Sequence, residues 1–274
     1  MNLKQALNNK LPSAELDLLV RAYDVVGDIA VIIIPPELFH RKTLIGQTLL
    51  DLHKNVKVVA KRSGVYEGQH RTIDLTILAG ENRTETIHKE FGVKLLLDLR
   101  TIYFSARIGT ERKRIADLVA ADEKVLVMFS GAAPFPLVIG RHSHPQAITG
   151  IEISKIAHAY GKKNLRMNTS NCPIKLINGD VRDVVTKLNE TFDRIIMPLP
   201  HTAQDFLHLA LALLRDKGWL HYYDIKPKDH FQISFKTIQD ACNKANRCAV
   251  NPQLFFCGHI SPKLFRICID VQIV

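Results

Sequence analysis

Ser130-Gly131-Ala132-Ala133 is the point in this chain where main chain, not side chain, is set up to meet a ligand. Four small residues in succession make a turn tight enough for a ligand to approach the backbone. Glu152 then supplies a carboxylate, an acceptor for hydroxyl groups such as those of a ribose. Between them the chain reads VLVMFSGAAPFPLVIGRHSHPQAITGIE from Val125 to Glu152. Val125 to Phe129 is a short apolar strand, Pro134 to about Arg141 suits a helix, and Ala147 to Ile151 is a second apolar strand ending on Glu152. Strand, small-residue turn, helix and acid-terminated strand form the nucleotide-cofactor half of a Rossmann-like sheet. The glycine pattern is incomplete, so the unit alone fits a dinucleotide or an S-adenosylmethionine fold equally. The plain alternative for Glu152 is a solvated strand end.

The surrounding elements decide how such a unit is held. Met1 to Leu19 reads as an entry helix or docked arm, and Val25 to Ile34 as one strand stopped by Pro35-Pro36. Glu37 to Leu52 has helical spacing, and Val56 to Val59 is a short strand among Lys54, Lys57, Lys61 and Arg62. Ile73 to Leu78, Thr84 to Lys89 and Val93 to Leu97 suggest an antiparallel meander. Residues 1–101 therefore predict a small α+β domain with a basic rim. From 102 to 274 strands alternate with helices, which predicts a parallel sheet covered on both faces. The last two segments, after a helix from Phe231 to Ala245, suit an antiparallel hairpin at its edge. That order fits a class I methyltransferase better than a dehydrogenase.

Composition narrows the function classes. The chain has 274 residues, 46% of them hydrophobic, enough for one sizeable core or two modest ones. No apolar run reaches the ~18–20 residues that span a bilayer. Ala30 to Pro36 is too short and too deep in the chain for a signal peptide. The five cysteines include no CxxC pair, which argues for reduced thiols in the cytoplasm and against a disulfide frame or metal site. A formal charge of +10 points to a polyanionic partner, nucleic acid first; charge alone does not separate RNA from DNA or membrane.

Longer motifs carry a resemblance. Tyr23-Asp24-Val25-Val26-Gly27-Asp28-Ile29-Ala30, Leu78 to Glu90 (LAGENRTETIHKE), Ile102 to Arg112 (IYFSARIGTER), Met128-Phe129-Ser130-Gly131, Gly179-Asp180-Val181-Arg182-Asp183 and His221-Tyr222-Tyr223 occur in one order. In these the chain resembles the archaeal and eukaryotic tRNA guanine-37 N1-methyltransferases, some of which also methylate C7 of 4-demethylwyosine. The resemblance implies an α/β fold: a class I S-adenosylmethionine-dependent domain, mostly parallel with an antiparallel last strand, behind a small α+β RNA-binding domain. It implies S-adenosyl-L-methionine as cofactor, no metal, and the anticodon loop of tRNA as partner, with no DNA and no membrane. A monomer is the family precedent.

Residue roles follow from the same resemblance. Phe129, Gly131, Glu152, Ile153, Asp180 and Val181 are expected to hold the cofactor, Glu152 at the ribose and Asp180 at the adenine amino group. Glu111 is expected to take the N1 proton of guanine, because N1 is a poor nucleophile while protonated. The alternative is a helix-surface glutamate paired with Lys113 or Arg114. Arg107 and Arg71 are expected at the guanine O6 edge or a flanking phosphate, where the planar guanidinium fork fits. Tyr103 lines the base pocket or packs between the domains. Pro198-Leu199-Pro200 stands where the family more often has Asn-Leu-Pro, so a side-chain amide is replaced by a ring without a donor. This either makes room for the tricyclic base or leaves the contact to the backbone. Lys54, Lys57, Lys61, Arg62 and Arg112 are expected on RNA phosphates, which position the RNA without reading its sequence. Val127 replaces a usual acid and Ala133 a usual glycine. These two departures keep open an RNA-binding protein with a degenerate cofactor site. Aminocarboxypropyl transfer in the wyosine pathway is a third reading.

Overall fold

The computed structural model describes residues 2–67 and 72–274, with side chains at all of these except 64–67 and 72–73. It divides into two compact units, Met1–Glu90 with Lys94–Ala106, and Phe91–Val93 with Arg107–Val274.

The first unit runs through α1 (Leu3–Leu7), α2 (Ser13–Leu18), β1 (Tyr23–Val26), β2 (Ile29–Ile32), α3 (Lys42–Leu52), β3 (Val58–Glu67), β4 (Thr72–Gly80), β5 (Glu85–Glu90) and β6 (Val93–Asp98). The single strand expected over Val25 to Ile34 is instead a hairpin, with Val26 paired to Ile29. Gly27 makes the reversal: its φ of 58° is left-handed, and a Cβ there would lie 2.1 Å from Thr86 Oγ1. The expected meander also does not form. β4 pairs back onto β3 in a sheet of order β1-β2-β3-β4, while β5 and β6 make a separate two-stranded ribbon. The short strand expected over Val56 to Val59 is longer: β3 continues through Lys61-Arg62-Ser63 to Glu67 and gives β4 a partner. Leu7, Ile32, Leu38, Ile45 and Leu49 form the core beneath the sheet.

The second unit holds α4 (Gly109–Leu118), β7 (Lys124–Met128), α5 (Pro134–His142), β8 (Ala147–Glu152), α6 (Lys155–Met167), β9 (Ile174–Asn178), α7 (Val181–Val185), β10 (Phe192–Met197), α8 (Leu207–Leu213), β11 (Leu214–Lys226), α9 (Phe231–Lys244), β12 (Ala249–Ser261) and β13 (Leu264–Ile273). Its sheet has the order β12-β13-β11-β10-β7-β8-β9. The pairs from β9 through β11 are parallel, and β13 runs antiparallel to both neighbours. This is the mostly parallel sheet with a reversed last strand that the sequence predicts. Leu126, Met128, Ile195, Met197, Leu220 and Ile269 are buried in one cluster with Tyr222. Burying each such aliphatic side chain contributes about 1.5–3 kcal/mol. From β7 the chain winds toward β9, and from β10 toward β11 and the hairpin. The carboxyl ends of β7 and β10 therefore flank a crevice where the winding direction switches, the usual ligand position in such sheets.

Candidate active site

The turn after β7 lies at that crevice. Phe129, Gly131 and Ala133 all take left-handed backbone, with φ of 61°, 57° and 67°. Alternate left-handed residues fold main-chain N–H groups inward, and such turns bind polar or anionic groups. Nothing lies within 4 Å of where a Gly131 Cβ would stand, so the turn borders open space there. Ala133 reaches the conformation that glycine would otherwise supply and caps α5. The turn thus keeps its shape without a second glycine. Val127 is fully buried, with Gly150 and Ile196 as its strand neighbours. A carboxylate in its place would be desolvated; valine fills core instead.

Glu152 ties the turn to the next element. Its Oε2 accepts from the Gly131 amide at 2.7 Å and its Oε1 from the Ser154 amide at 2.7 Å. Ser154 in turn caps α6 through its hydroxyl. Glu152 is 9% exposed, so it is a structural staple of the turn and not a solvated strand end. Asn164 adds a bond to the Ala132 carbonyl at 3.0 Å.

Asp180 caps α7 and accepts from Arg182 through Nε at 3.0 Å and Nη2 at 2.6 Å. The hydrogen bond from Arg182 holds the Asp180 carboxyl below its ordinary range, against a smaller opposing effect of burial. The adenine amino group expected at Asp180 must therefore share it with an exposed arginine. Val181 is buried beside it and Ile153 is half-buried. On the other side of the crevice, Pro198 and Leu199 are half-buried and Pro200 is buried after β10. The chain then turns into Ala203–Phe206, where Phe206 meets Phe129 edge-on at 4.9 Å.

Glu111, at the start of α4, is 6% exposed. Arg114 grips it with Nε and Nη2, both at 2.7 Å, and the Tyr223 hydroxyl donates to Oε1 at 2.6 Å. Of the two sequence alternatives, the Arg114 pairing is present, but it is buried and not on the helix surface. Arg114 continues to Asp270 on β13 at 2.6 Å, and its guanidinium covers the Phe255 ring at 3.8 Å. Asp270 accepts from His221 Nδ1 at 2.7 Å, and His221 Nε2 meets Arg194 Nη1 at 2.7 Å. Arginine has no acceptor, so Nε2 is bare and the proton sits on Nδ1. Burial holds the His221 imidazole below its ordinary range, against the opposing pull of Asp270. Burial opposes ionisation of Asp270 too, but the hydrogen bond from His221 and the charge of Arg114 outweigh it and hold its carboxyl low. Burial raises the Tyr223 hydroxyl well above its ordinary range, which keeps it a donor.

The basic residues separate. Lys54 and Lys57 are exposed in the turn between α3 and β3, and Arg62 is half-buried on β3. Lys61 rests its ammonium over the Phe39 ring at 4.3 Å. Arg107 is exposed just before α4, and Tyr103 is half-buried. Arg112 is a correction: at 1% exposure it is among the largest fully buried side chains and cannot present its guanidinium to a phosphate. It lies on the inner face of α4 with Ile115 and Ala116. Arg71 lies outside the described residues.

Two family profiles match this chain: the TRM5/TYW2 methyltransferase domain over residues 86–251 and the TYW2 N-terminal domain over residues 3–84. The chain belongs to the TRM5/TYW2 methyltransferase family. It is 36% identical over 245 residues to the tRNA (guanine(37)-N(1))-methyltransferase Trm5b of Pyrococcus abyssi, spanning 89% of this chain and 70% of that protein. It is 28% identical to the tRNA (guanine(37)-N(1))/4-demethylwyosine(37)-methyltransferase Taw22 of Nanoarchaeum equitans, over 92% of this chain and 100% of that protein. Among solved structures, the complex of aTrm5 and tRNALeu superposes with a TM-score of 0.85 at 29% identity, covering 99% of this chain and 78% of that one.

Sequence reasoning missed Asp270 and Arg194 altogether and gave His221 and Tyr223 only as part of a motif. Their signal is a charged residue set among apolar strand residues, as Asp270 in ICIDVQI or Arg194 in DRIIM. Such residues are buried with partners or not at all.

Proposed function

We propose that this family member transfers the methyl group of S-adenosyl-L-methionine to N1 of the guanosine at position 37 of tRNA. The observation that carries this is the left-handed turn at residues 129–133, bordered by open space at Gly131 and stapled by Glu152 at the switch point of a TRM5/TYW2 sheet. When bound, the cofactor supplies a methyl group on a sulfonium, an already activated donor. The turn offers main-chain groups to it. Glu152 accepts from the ribose hydroxyls, Asp180 from the adenine amino group, and Phe129, Ile153 and Val181 wall the site.

Glu111 takes the N1 proton of guanine, which frees the ring nitrogen as a nucleophile. Arg107 donates to O6 or to the flanking phosphate, Tyr103 lines the base pocket, and Pro198 and Pro200 shape its far side. Lys54, Lys57, Lys61 and Arg62 hold phosphates of the anticodon loop, and the target base leaves its stack to be reached. The protein acts as a monomer in the cytoplasm, on RNA and not DNA. No helix among the described residues is long and apolar enough to cross a membrane.

A second reading, C7 of 4-demethylwyosine, has its own support. The TYW2 N-terminal profile matches the first unit, and Pro198 offers no side-chain donor with which to read guanine. Nucleoside mass spectrometry after reaction with tRNA carrying each base tests both. The expected product from guanosine is 1-methylguanosine. Unmodified tRNA of both kinds, with no calorimetric binding of S-adenosylmethionine at millimolar concentration, would favour an RNA-binding protein with a degenerate cofactor site. Transfer of an aminocarboxypropyl group in place of methyl would overturn the methyltransferase reading.

A further inference from the structure

Glu111 does not stand alone at the start of α4; it belongs to a chain of side chains drawn from four elements and the loop before β7. In order these are Tyr223, Glu111, Arg114, Asp270, His221, Arg194 and Glu123. Every link has a donor facing an acceptor. Arg194 closes the far end, with Nε and Nη2 on Glu123 at 2.7 and 2.9 Å and a further bond to the Leu118 carbonyl. Among the described residues no buried side-chain nitrogen or oxygen lacks a partner.

Three carboxylates share two guanidiniums, and His221 is neutral. Arg114 is the member divided between two acids: one edge of its fork serves Glu111, and Nη1 and Nη2 also serve Asp270 at 2.6 and 3.2 Å. We propose that Arg114 and Asp270 are positioning residues for the reaction. Arg114 fixes the Glu111 carboxylate in one orientation, and Asp270 draws part of the arginine's charge away so that Glu111 can still accept a proton. Arg114 Nη2 and the Tyr223 hydroxyl bond to Oε1, Arg114 Nε bonds to Oε2, and the Cys257 thiol makes a further hydrogen bond to the carboxylate. His221, held by Arg194, keeps Asp270 turned toward Arg114. The other titratable groups facing Glu111 are Cys257 on β12 and Cys268 on β13; burial pushes both thiols up, so they stay neutral. The charge felt by Glu111 within this cluster is thus set by how Arg114 is divided.

This inference rests on Glu111 as proton acceptor. The test measures single-turnover methyl transfer to guanosine-37 tRNA from about pH 5 to 9 in the full chain, with S-adenosylmethionine binding by calorimetry. The variants are Asp270→Asn, Arg114→Lys and Glu111→Gln. Asp270→Asn leaves the whole arginine charge on Glu111. Its plateau rate is expected to fall about tenfold or more, its acid limb to move to lower pH, and its cofactor affinity to stay unchanged. Arg114→Lys keeps the charge but loses the fork, so the rate falls without loss of cofactor binding. A wild-type pH profile in Asp270→Asn, with any rate loss uniform across pH, would overturn the positioning role. If Asp270→Asn does not fold, a wild-type rate in Arg114→Lys overturns it. A full rate in Glu111→Gln refutes the proton-acceptor reading instead, whatever the other two variants show.

Discussion

The turn at residues 129–133 and the ion chain from Tyr223 to Glu123 belong to the same seven-stranded sheet but are made from opposite materials. The turn is nearly free of side chains; its shape comes from three left-handed residues, and one buried carboxylate holds it from behind. The ion chain is almost all side chain, with partners as far apart in sequence as Arg114 and Asp270. The turn suits a ligand that must be cradled, because its main-chain groups are already fixed in place and need no reorientation. The ion chain suits a proton that must move to one place, because each charged group is pinned by the next. Binding and proton transfer are therefore separable here, and mutations should separate them.

Glu111→Gln is expected to have the largest effect. It should lower methyl transfer by about 10²–10⁴-fold while leaving cofactor affinity intact, measured by single-turnover kinetics beside calorimetry. Gly131→Val is the mirror case. A branched side chain at φ 57° costs about 1–2 kcal/mol of stability and fills the open space beside the turn. Cofactor affinity should therefore fall more than tenfold, beyond what the change in thermal denaturation accounts for. Equal losses of binding in both variants would erase the distinction between the two regions.

Glu152→Ala tests the staple. It removes the acceptor of two amides, each bond to the charged group contributing about 1.5–3 kcal/mol, and should weaken cofactor binding and thermal stability together. His221→Asn tests the far end of the ion chain through pH. The buried imidazole stays neutral when folded but takes a proton when unfolded, so the unfolded state binds more protons below about pH 6.5. Wild-type stability should fall by up to about 1.4 kcal/mol per pH unit from this group as pH drops below that value. In His221→Asn that slope should flatten in denaturation curves between pH 7 and 5.

Ala133→Gly is expected to change least. Relief of the left-handed alanine, about 1 kcal/mol, is offset by loss of a buried methyl and greater freedom of the unfolded chain. Denaturation should move by less than about 1 kcal/mol. A larger gain would mean that the turn stores more strain than its dihedrals indicate.

The same contrast explains what the sequence revealed. The cofactor turn was legible because its signal is local: Ser130 to Ala133 sits between two apolar runs, and Glu152 ends the second. The parallel sheet was legible because strands and helices alternate. Gly27 hid a hairpin inside an apolar run, since β1 ends on Val25-Val26 and β2 begins on Ile29-Ala30. The strand expected over Val56 to Val59 stopped short of the polar part of β3, because a polar strand has no hydrophobic signature. The ion chain was hidden because pairing of Asp270 with Arg114 depends on the register of β13 against β11 and on α4 lying over both. Arg112 misled for a related reason. One residue beyond Glu111, its charge suggested an RNA contact, whereas the helix turns it into the interior.

The most direct measurement follows a labelled methyl group from S-adenosylmethionine into guanosine-37 tRNA, located by nuclease digestion and mass spectrometry. It is made for the wild type, Gly131→Val and Glu111→Gln at saturating tRNA. The expected result is label confined to N1 of nucleotide 37 in the wild type and strongly reduced in both variants, with cofactor binding weakened only in Gly131→Val. Label at another nucleotide, or undiminished label in Glu111→Gln, would contradict the site described above.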